Sequence, residues 1–314
     1  MTATPDPRHH QLAALRPVLI GHCYRMLGSP TDADDAVQET MIRAIRGLPG
    51  FEGRASLKTW TLRIATHVCL DELSRKKRRE RPMEAPPGGL DGPFDPTPPE
   101  RWVEPVPDAW VVPVDAGPEE VLAARQSVRL AFVAALQHLP ARQRAALLLT
   151  QVLGFSAKEA GEALDLSVAA INSALQRARA RVAELDPAGA ADPDQRIGEV
   201  ADAYQHAFER FDLDRLVAMM AEDVTFDMPP IPLWVQGPAM VRAFLAGPGH
   251  ECEGSVLVPA PACGTAAFAQ YRHGGETPWG IVVLQVADGQ VTGVTTFLDT
   301  ERLFPVFGLP MVWG

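Results

Sequence analysis

Apolar positions follow a helical rhythm through most of the first 186 residues and alternate only in the last third. Leu12, Leu15, Leu19, Cys23 and Met26 recur at spacings of three and four, which predicts one amphipathic helix closed near Gly28-Ser29-Pro30. A second helix is predicted from about Thr31 to Gly47, with Ala33, Val37, Met41, Ala44 and Ile45 inward. Asp32, Asp35 and Glu39 fall on another side of it, and acids in a first turn also suit a plain solvated face. After the loop "GLPGFEGRAS", Ser56 is placed to cap a long helix running to about Arg79, with Leu57, Trp60, Ile64, Val68 and Leu73 inward. That helix is expected to end in "RKKRRER", six basic residues in seven, part dipole effect and part electrostatic footprint for phosphates.

The rhythm stops at residues 82–118, where eleven of 37 residues are proline. An extended, semi-stiff linker without regular structure is expected. Its centre, "WVEPVPDAW", holds two of the chain's six tryptophans. Helical periodicity returns in "EEVLAARQSVRLAFVAALQHL", read as one helix, and in "ARQRAALLLTQVL" after Pro140. Gly154 breaks the chain, and Ser156 with Glu159 has capping-box spacing. A short turn at Asp165-Leu166 leads to Ser167, a second N-cap, and to the helix "VAAINSALQRARARVAEL". These are helix-turn-helix proportions. Ile171, Leu175, Ala178 and Val182 line up inward, leaving Ala169, Asn172, Ser173 and Gln176 outside with Arg177, Arg179 and Arg181 beyond. Asn, Gln and Arg can read base edges bidentately, although an Arg-rich surface helix would show the same residues.

From 194 onward the pattern changes again. "IGEVADAYQHAFERFDLDRLVAMM" reads as one or two amphipathic helices, "DVTFDMPP" opens a strand, and "PAMVRAFLAG" is a short helix. "GSVLVPAPACG", "AAFAQYRH" and "WGIVVLQVADGQVTGVTTFLD" supply strands, with Asp288-Gly289 as a hairpin turn. Helices followed by a mostly antiparallel sheet make an α+β domain.

Composition alters this picture in two respects. The apolar content of 46% and charged content of 22% belong to a soluble globular protein. No apolar run approaches a membrane span and no secretory h-region is visible, so a cytoplasmic location is expected. Cys23, Cys69, Cys252 and Cys263 form no C-x-x-C pair and are expected as reduced buried thiols, without metal. The net charge of −10 is unevenly spread. Residues 1–85 carry 14 Lys and Arg against 10 Asp and Glu, whereas residues 187–314 carry 6 against 16. That asymmetry keeps nucleic-acid binding open despite the acidic total.

The first half resembles an extracytoplasmic-function (group 4) sigma factor of bacterial RNA polymerase. "TDADDAVQETMIRAIRGL" resembles sigma region 2.2, and "FEGRASLKTWTLRIATHVCLDELSRKKRR" regions 2.3 and 2.4. "LQHLPARQRAALLLTQVLGFSAKEAGEALDLSVAAINSALQRARARV" resembles regions 4.1 and 4.2. The last third is similar to the SnoaL-like cyclase superfamily, a cone-shaped α+β fold, on "AYQHAFERFDLDRLVAMMAEDVTFDMPP" and "VTGVTTFLDTERLFPVFGLP". The combination resembles the sigma subgroups with such a fused domain, in one of which a W-L-x-P-Y-P-D-like motif lies between the two sigma domains. Here Val103 and Val106 stand where that motif has Leu and Tyr.

The resemblance implies a multidomain chain. Two all-α sigma domains, 1–84 and 119–186, are joined by a Pro-rich acidic linker, 85–118, and followed by an α+β domain, 194–314. It implies that Asp32, Asp35 and Glu39 meet the β′ clamp helices of core RNA polymerase, with the β flap as a second partner surface. The loop 51–56, with Phe51, Arg54 and Ser56, would receive a flipped minus-ten base. Arg63 and His67, with Asp71 beside them, would face the same element, His67 standing where relatives often have Asn. Trp60 fits core packing better than base stacking. Arg75, Lys76, Lys77, Arg78 and Arg79 would hold phosphates. Ser167, Ala169, Asn172, Ser173, Gln176, Arg177 and Arg179 would dock at the minus-thirty-five element. Trp102, Glu104, Pro105, Pro107, Asp108 and Trp110 would form a docking segment against a neighbouring domain, the SnoaL-like one, as opposed to a locally collapsed linker.

Three readings of the last domain remain. It regulates the sigma domains in cis, substituting for a separate anti-sigma protein. It is a cyclase- or isomerase-type enzyme using His206, Asp227, Tyr271, His273 or Asp299. Or the chain is a ligand-sensing repressor, which the strand-melting region 2 argues against. No cofactor is called for, a small-molecule ligand of the last domain stays open, and the free chain is expected to be a monomer.

Overall fold

Pro17 divides the first apolar stripe. In the computed structural model, which describes residues 8–90, 94–112, 117–186 and 196–314, the expected single helix is two, α1 (Arg8–Ala14) and α2 (Arg16–Leu27). Proline is tolerated in the first turn of α2 because its missing N–H would have no partner there. Gly28 ends α2 at φ +74°, its N–H bonded to the Tyr24 carbonyl. Ser29 then caps α3 (Pro30–Gly47) by accepting from the Asp32 N–H. Ala33, Ala36, Val37, Thr40 and Ala44 of α3 are buried. Ile45, expected inward, is 50% exposed, because it stands a hundred degrees round the helix from Ala44. Thr40 takes part in the stripe by returning its hydroxyl to the Ala36 carbonyl, 2.7 Å away.

Ser56 caps α4 as expected, accepting from the Thr59 N–H at 3.0 Å. The helix stops at Leu73, however, and not near Arg79. Ser74 turns its hydroxyl onto the Asp71 carbonyl at 2.6 Å, and the like charges that follow repel one another out of helical register. The buried side of α4 is Thr61, Leu62, Ala65, Thr66, Val68 and Cys69. Leu57, Trp60 and Ile64 are half-buried around Leu12, Ala44 and Leu48, with the Trp60 and Phe51 rings 4.9 Å apart.

A single turn, α5 (Asp108–Val111), precedes α6 (Pro118–Gln126) and α7 (Leu130–Gln137). The segment read as one helix is thus two, parted where the Ser127 hydroxyl donates to the Ala124 carbonyl. α8 (Ala141–Leu147) runs into a π turn, Leu148–Val152. α9 (Ala157–Leu164) starts with the expected capping box of Ser156 and Glu159. Asp165, in the left-handed region at φ 54°, makes the turn into α10 (Val168–Leu185), which Ser167 caps.

The chain forms two compact units, Met1–Arg79 with Ala109–Ala190, and Glu80–Asp108 with Ala191–Gly314. The proposed junction at 187–193, and linker prolines Pro93 and Pro113, lie outside the described residues. In the helical unit, α2 and α4 pack on α7, α8 and α9. Buried cations close this seam. Arg25 donates to the carbonyl and hydroxyl of Ser127 (3.1 and 2.6 Å). Arg144, 3% exposed, donates to the Met26 carbonyl, to Oε1 and the carbonyl of Gln137, and to the Leu139 carbonyl. Burial lowers the pKa of each guanidinium to about 10.

The second unit is α11 (Ile197–Glu209), α12 (Leu213–Ala218), β1 (Met220–Asp227), β2 (Trp234–Gln236), α13 (Pro238–Ala246), β3 (Val256–Pro259), β4 (Ala267–Arg272), β5 (Thr277–Ala287), β6 (Gln290–Phe297) and α14 (Thr300–Val306). The sheet order is β2-β1-β6-β5-β4-β3, antiparallel except for the β1–β6 pair. Asp288 and Gly289, both at positive φ, make the β5–β6 hairpin turn. Strand alternation sorts the two faces. Val224, Phe226, Val282, Leu284, Val294 and Phe268 face Val200, Tyr204 and Phe208 of α11. Asp227, Thr295, Phe297, Ile281, Val283 and Tyr271 point to the opposite face, where α14 packs on β5.

Residues 80–108 belong to this second unit and run as a strap. They are not devoid of regular structure: Pro82–Glu84 and Pro99–Arg101 form single 3-10 turns, since proline suits a first helical turn.

Candidate nucleic-acid interface

On α10 the helical period separates core from surface cleanly. Ile171, Ala174, Leu175 and Ala178 are buried, and Val182 is half-buried. Ser167, Ala169, Asn172, Ser173, Gln176, Arg177 and Arg179 are all exposed. Ser167 spends its hydroxyl as the cap, accepting from the Ala170 N–H at 3.2 Å. Arg177 donates to the Ser173 hydroxyl at 2.6 Å.

The other candidate residues are grouped differently from their expected roles. Beyond α4, Arg75, Lys76, Lys77 and Arg78 are exposed, whereas Arg79 is buried. Arg79 reaches Asp32 at 2.8 Å and Lys76 reaches it at 2.9 Å. Burial alone would raise the Asp32 carboxyl, but these two cations outweigh it and hold its pKa below the usual value. An acid expected on the polymerase side thus holds two bases expected on phosphates. Asp35 is exposed, and Glu39 accepts from Arg43 at 2.7 Å. Asp32, Asp35, Glu39, Asp71, Glu72, Arg75 and Lys76 edge a polar groove of about 140 Å³ between α3 and α4. Phe51 is half-buried against Trp60, while Arg54 and Ser56 are exposed. Arg63 and His67 approach Asp165 of the helix-turn-helix turn, at 3.5 and 3.9 Å.

The strap is the second feature. Trp102, 2% exposed, stands with Pro99 and Glu104 against Pro229, Pro230, Phe297 and Leu303. What remains open there is about 10 Å³, barely one water. The Trp102 indole N–H donates to the Thr97 hydroxyl (2.9 Å), and Thr97 donates through its N–H and its hydroxyl to the Pro230 carbonyl. Arg302 bridges buried Glu104 and Asp299, each at 2.9 Å. Pro105 and Pro107 are buried. The Asp108 carboxylate accepts from the Gly264 N–H at 2.7 Å. Trp110, expected to dock beside Trp102, is half-buried in a segment that groups with the helical unit, because the strap ends at Asp108.

The titratable candidates of the second unit do not converge. His206 is exposed on α11, its ring bonded to the Asp202 carbonyl, and α11 packs on the opposite sheet face from Asp227. Asp227, 1% exposed, accepts from the Thr295 hydroxyl at 2.9 Å. Burial, against the pull of Arg81 and Thr295, raises its pKa to about 6. Tyr271 donates to the Pro310 carbonyl, and His273 is exposed beside Thr277. On the helix-facing side, β1 presents Val224 and Phe226, followed by Met228, all apolar. All four cysteines are buried free thiols. Among the described residues no cluster suited to a metal ion occurs, and no helix is long and apolar enough to cross a membrane.

Sequence reasoning missed the cations that close the helical unit. Arg25 sits inside an apolar stretch and Arg144 at the edge of one, after Arg142 and Gln143, and only their position on a buried helix face could have singled them out. The sequence marks Asp165 as a turn residue but carries no sign that it partners Arg63.

The chain thus combines helical modules, one of them carrying a helix-turn-helix, with a strapped α+β domain. Residues 12–79 match Sigma-70 region 2, residues 129–182 match Sigma-70, region 4, and residues 200–294 match the SnoaL-like domain. The chain is 40% identical over 302 residues to the ECF RNA polymerase sigma factor SigG of Mycobacterium tuberculosis, covering 93% of this chain and 81% of that protein. It is 25% identical to the probable ECF RNA polymerase sigma factor SigI of that organism over 96% of both chains. The crystal structure of the M. tuberculosis extracytoplasmic function sigma factor SigJ shares the fold, with a TM-score of 0.65 at 22% identity over 96% of this chain and 99% of that one. The chain belongs to the ECF RNA polymerase sigma factors and carries a C-terminal SnoaL-like domain.

Proposed function

We propose that this sigma factor binds core RNA polymerase, reads two promoter elements with separate faces of its helical unit, and is regulated in cis by its strapped C-terminal unit. The observation that carries the reading is the solvent side of α10, where seven candidate readers stand exposed on a capped helix after a short turn. Elements centred at minus ten and minus thirty-five lie about 25 base pairs apart, roughly 85 Å at 3.4 Å per pair. A unit of about 160 residues has a radius of gyration near 15 Å. One closed unit therefore does not span both elements, and the Arg25 and Arg144 contacts must open for initiation. The strap is continuous with the helical unit at both ends, at Arg79 and Ala109, so its hold on the sheet restrains how far the two helical halves separate.

An enzymatic role has less support, since Asp227 and His206 lie on different sides of the sheet. The domain acts as a regulator, in the same cytoplasmic compartment as promoter DNA. The test is abortive initiation with core polymerase, comparing the full chain with residues 1–186. Activity in both, higher without the C-terminal unit, is expected; failure of both on every promoter would remove the sigma reading for this chain.

A further inference from the structure

Val168 is the first residue of α10 and is 46% exposed. A lone exposed valine is ordinary on a protein surface. Its position is what matters. A recognition helix contacts base edges mainly with its N-terminal residues. A β-branched side chain adds little helix propensity there and shows apolar surface to water. In the major groove, the apolar group on a base edge is the C5-methyl of thymine. At i, i+4 and i+8, Val168, Asn172 and Gln176 form one row on the exposed side of α10. Among the described residues neither side-chain amide of that row has a hydrogen-bond partner within the chain. The adjacent row is committed differently, its Ser173 hydroxyl being held by Arg177. An amide reads adenine bidentately and a methyl-bearing side chain reads thymine, so the whole row addresses A·T pairs.

Resting on the reading of α10 as the promoter-reading helix, we infer that Val168 is a specificity-determining residue whose isopropyl group meets the C5-methyl of a thymine in the upstream promoter element. Val168 is 46% exposed and is not one of the buried residues of α10, which are Ile171, Ala174, Leu175 and Ala178, so its replacement leaves that buried row in place.

The test is a cycle between one protein side chain and one DNA methyl group. Holoenzyme made from the full chain and core polymerase selects an upstream site from a randomised duplex pool. Each thymine of the enriched site is then replaced singly by deoxyuridine, which lacks only the methyl. Wild-type holoenzyme should lose about fourfold in affinity at one position, the effect of unburying a single methyl group at ~0.8 kcal/mol. Val168→Ser, shown by its melting curve to fold as wild type does, should bind the thymine and uracil duplexes alike at that position. No loss at any thymine, or a loss undiminished in Val168→Ser, overturns the inference while leaving the sigma reading intact. Absence of any enriched upstream site removes the promoter-reading role of α10 itself, and the inference with it.

Discussion

Asp227 shows how a single side chain reports on the strapped face of the sheet. Its folded pKa is near 6 against an ordinary 3.8, with burial the largest cause. The folded state therefore binds the proton more tightly than the unfolded one. Its favourable contribution is complete below about pH 4 and is lost as the pH rises towards 6. At pH 7 the buried charge costs on the order of 3 kcal/mol. Asp227→Asn keeps an acceptor for the Thr295 hydroxyl and removes the charge. The variant should melt several degrees higher at pH 7, by little at pH 4, and should flatten stability between those limits. Earlier melting at pH 7 would show that Arg81 stabilises the charge more than burial penalises it. Asp32 has the opposite sign, because Arg79 and Lys76 outweigh its burial. Its contribution is present at neutral pH and fades as the carboxyl protonates in acid.

Among the elements, the strap departs most from a linker. Trp102 fills a slot between Pro99 and the Pro229–Pro230 corner, and Arg302 secures Glu104 beside it. Trp102→Ala should remove about 3–5 kcal/mol from the C-terminal unit, the usual loss for a buried aromatic. It should also change initiation by the full chain while leaving that of residues 1–186 unaltered, since the shorter chain lacks the strap's seat. Equal effects in both would place the role of Trp102 inside the sigma domains. The prolines made the strap's extended path legible, and the two tryptophans suggested that it docks. Which tryptophan docks was not legible, because composition cannot mark the residue at which a chain passes from one unit to another. Caps were readable where Ser56, Ser156 and Ser167 precede apolar stripes. The breaks at Pro17 and Ser127 were not, because an apolar stripe can continue across a bend. α10 was readable in full, as its core and surface rows keep one period over 18 residues. The grouping of Asp32 with Arg79 could not be seen, since the two lie 47 positions apart and meet only after α4 ends.

For the whole molecule, two measurements separate DNA contact from closure. Arg75, Lys77 and Arg78 are exposed, with Arg75 near Glu72 and Arg78 beside the His138 ring, whereas Lys76 and Arg79 are engaged with Asp32. Replacing the first three by alanine should lower the salt slope of holoenzyme binding to promoter duplex by up to about 0.9 per phosphate contact, roughly 2.7 in all. An unchanged slope would move the phosphate contacts elsewhere. Closure is probed at Ser127, whose hydroxyl accepts from Arg25 across the helical unit and donates to the Ala124 carbonyl beside it. The second bond is local to the α6–α7 bend and would persist in the open state proposed above, so Ser127→Ala removes it from both states alike. The bond from Arg25 would be lost in the proposed open state, and a hydrogen bond to a charged group contributes about 1.5–3 kcal/mol. Losing part of it shifts the closed–open balance by about tenfold, and a partner that binds only the open state gains apparent affinity by the same factor. Ser127→Ala should therefore tighten binding to core polymerase several-fold, and Ser127→Thr, which keeps the hydroxyl, should restore the wild-type value. Titration of labelled polymerase with the three full-length proteins decides it. If Ser127→Ala binds no more tightly than wild type, closure of the helical unit does not limit access to polymerase.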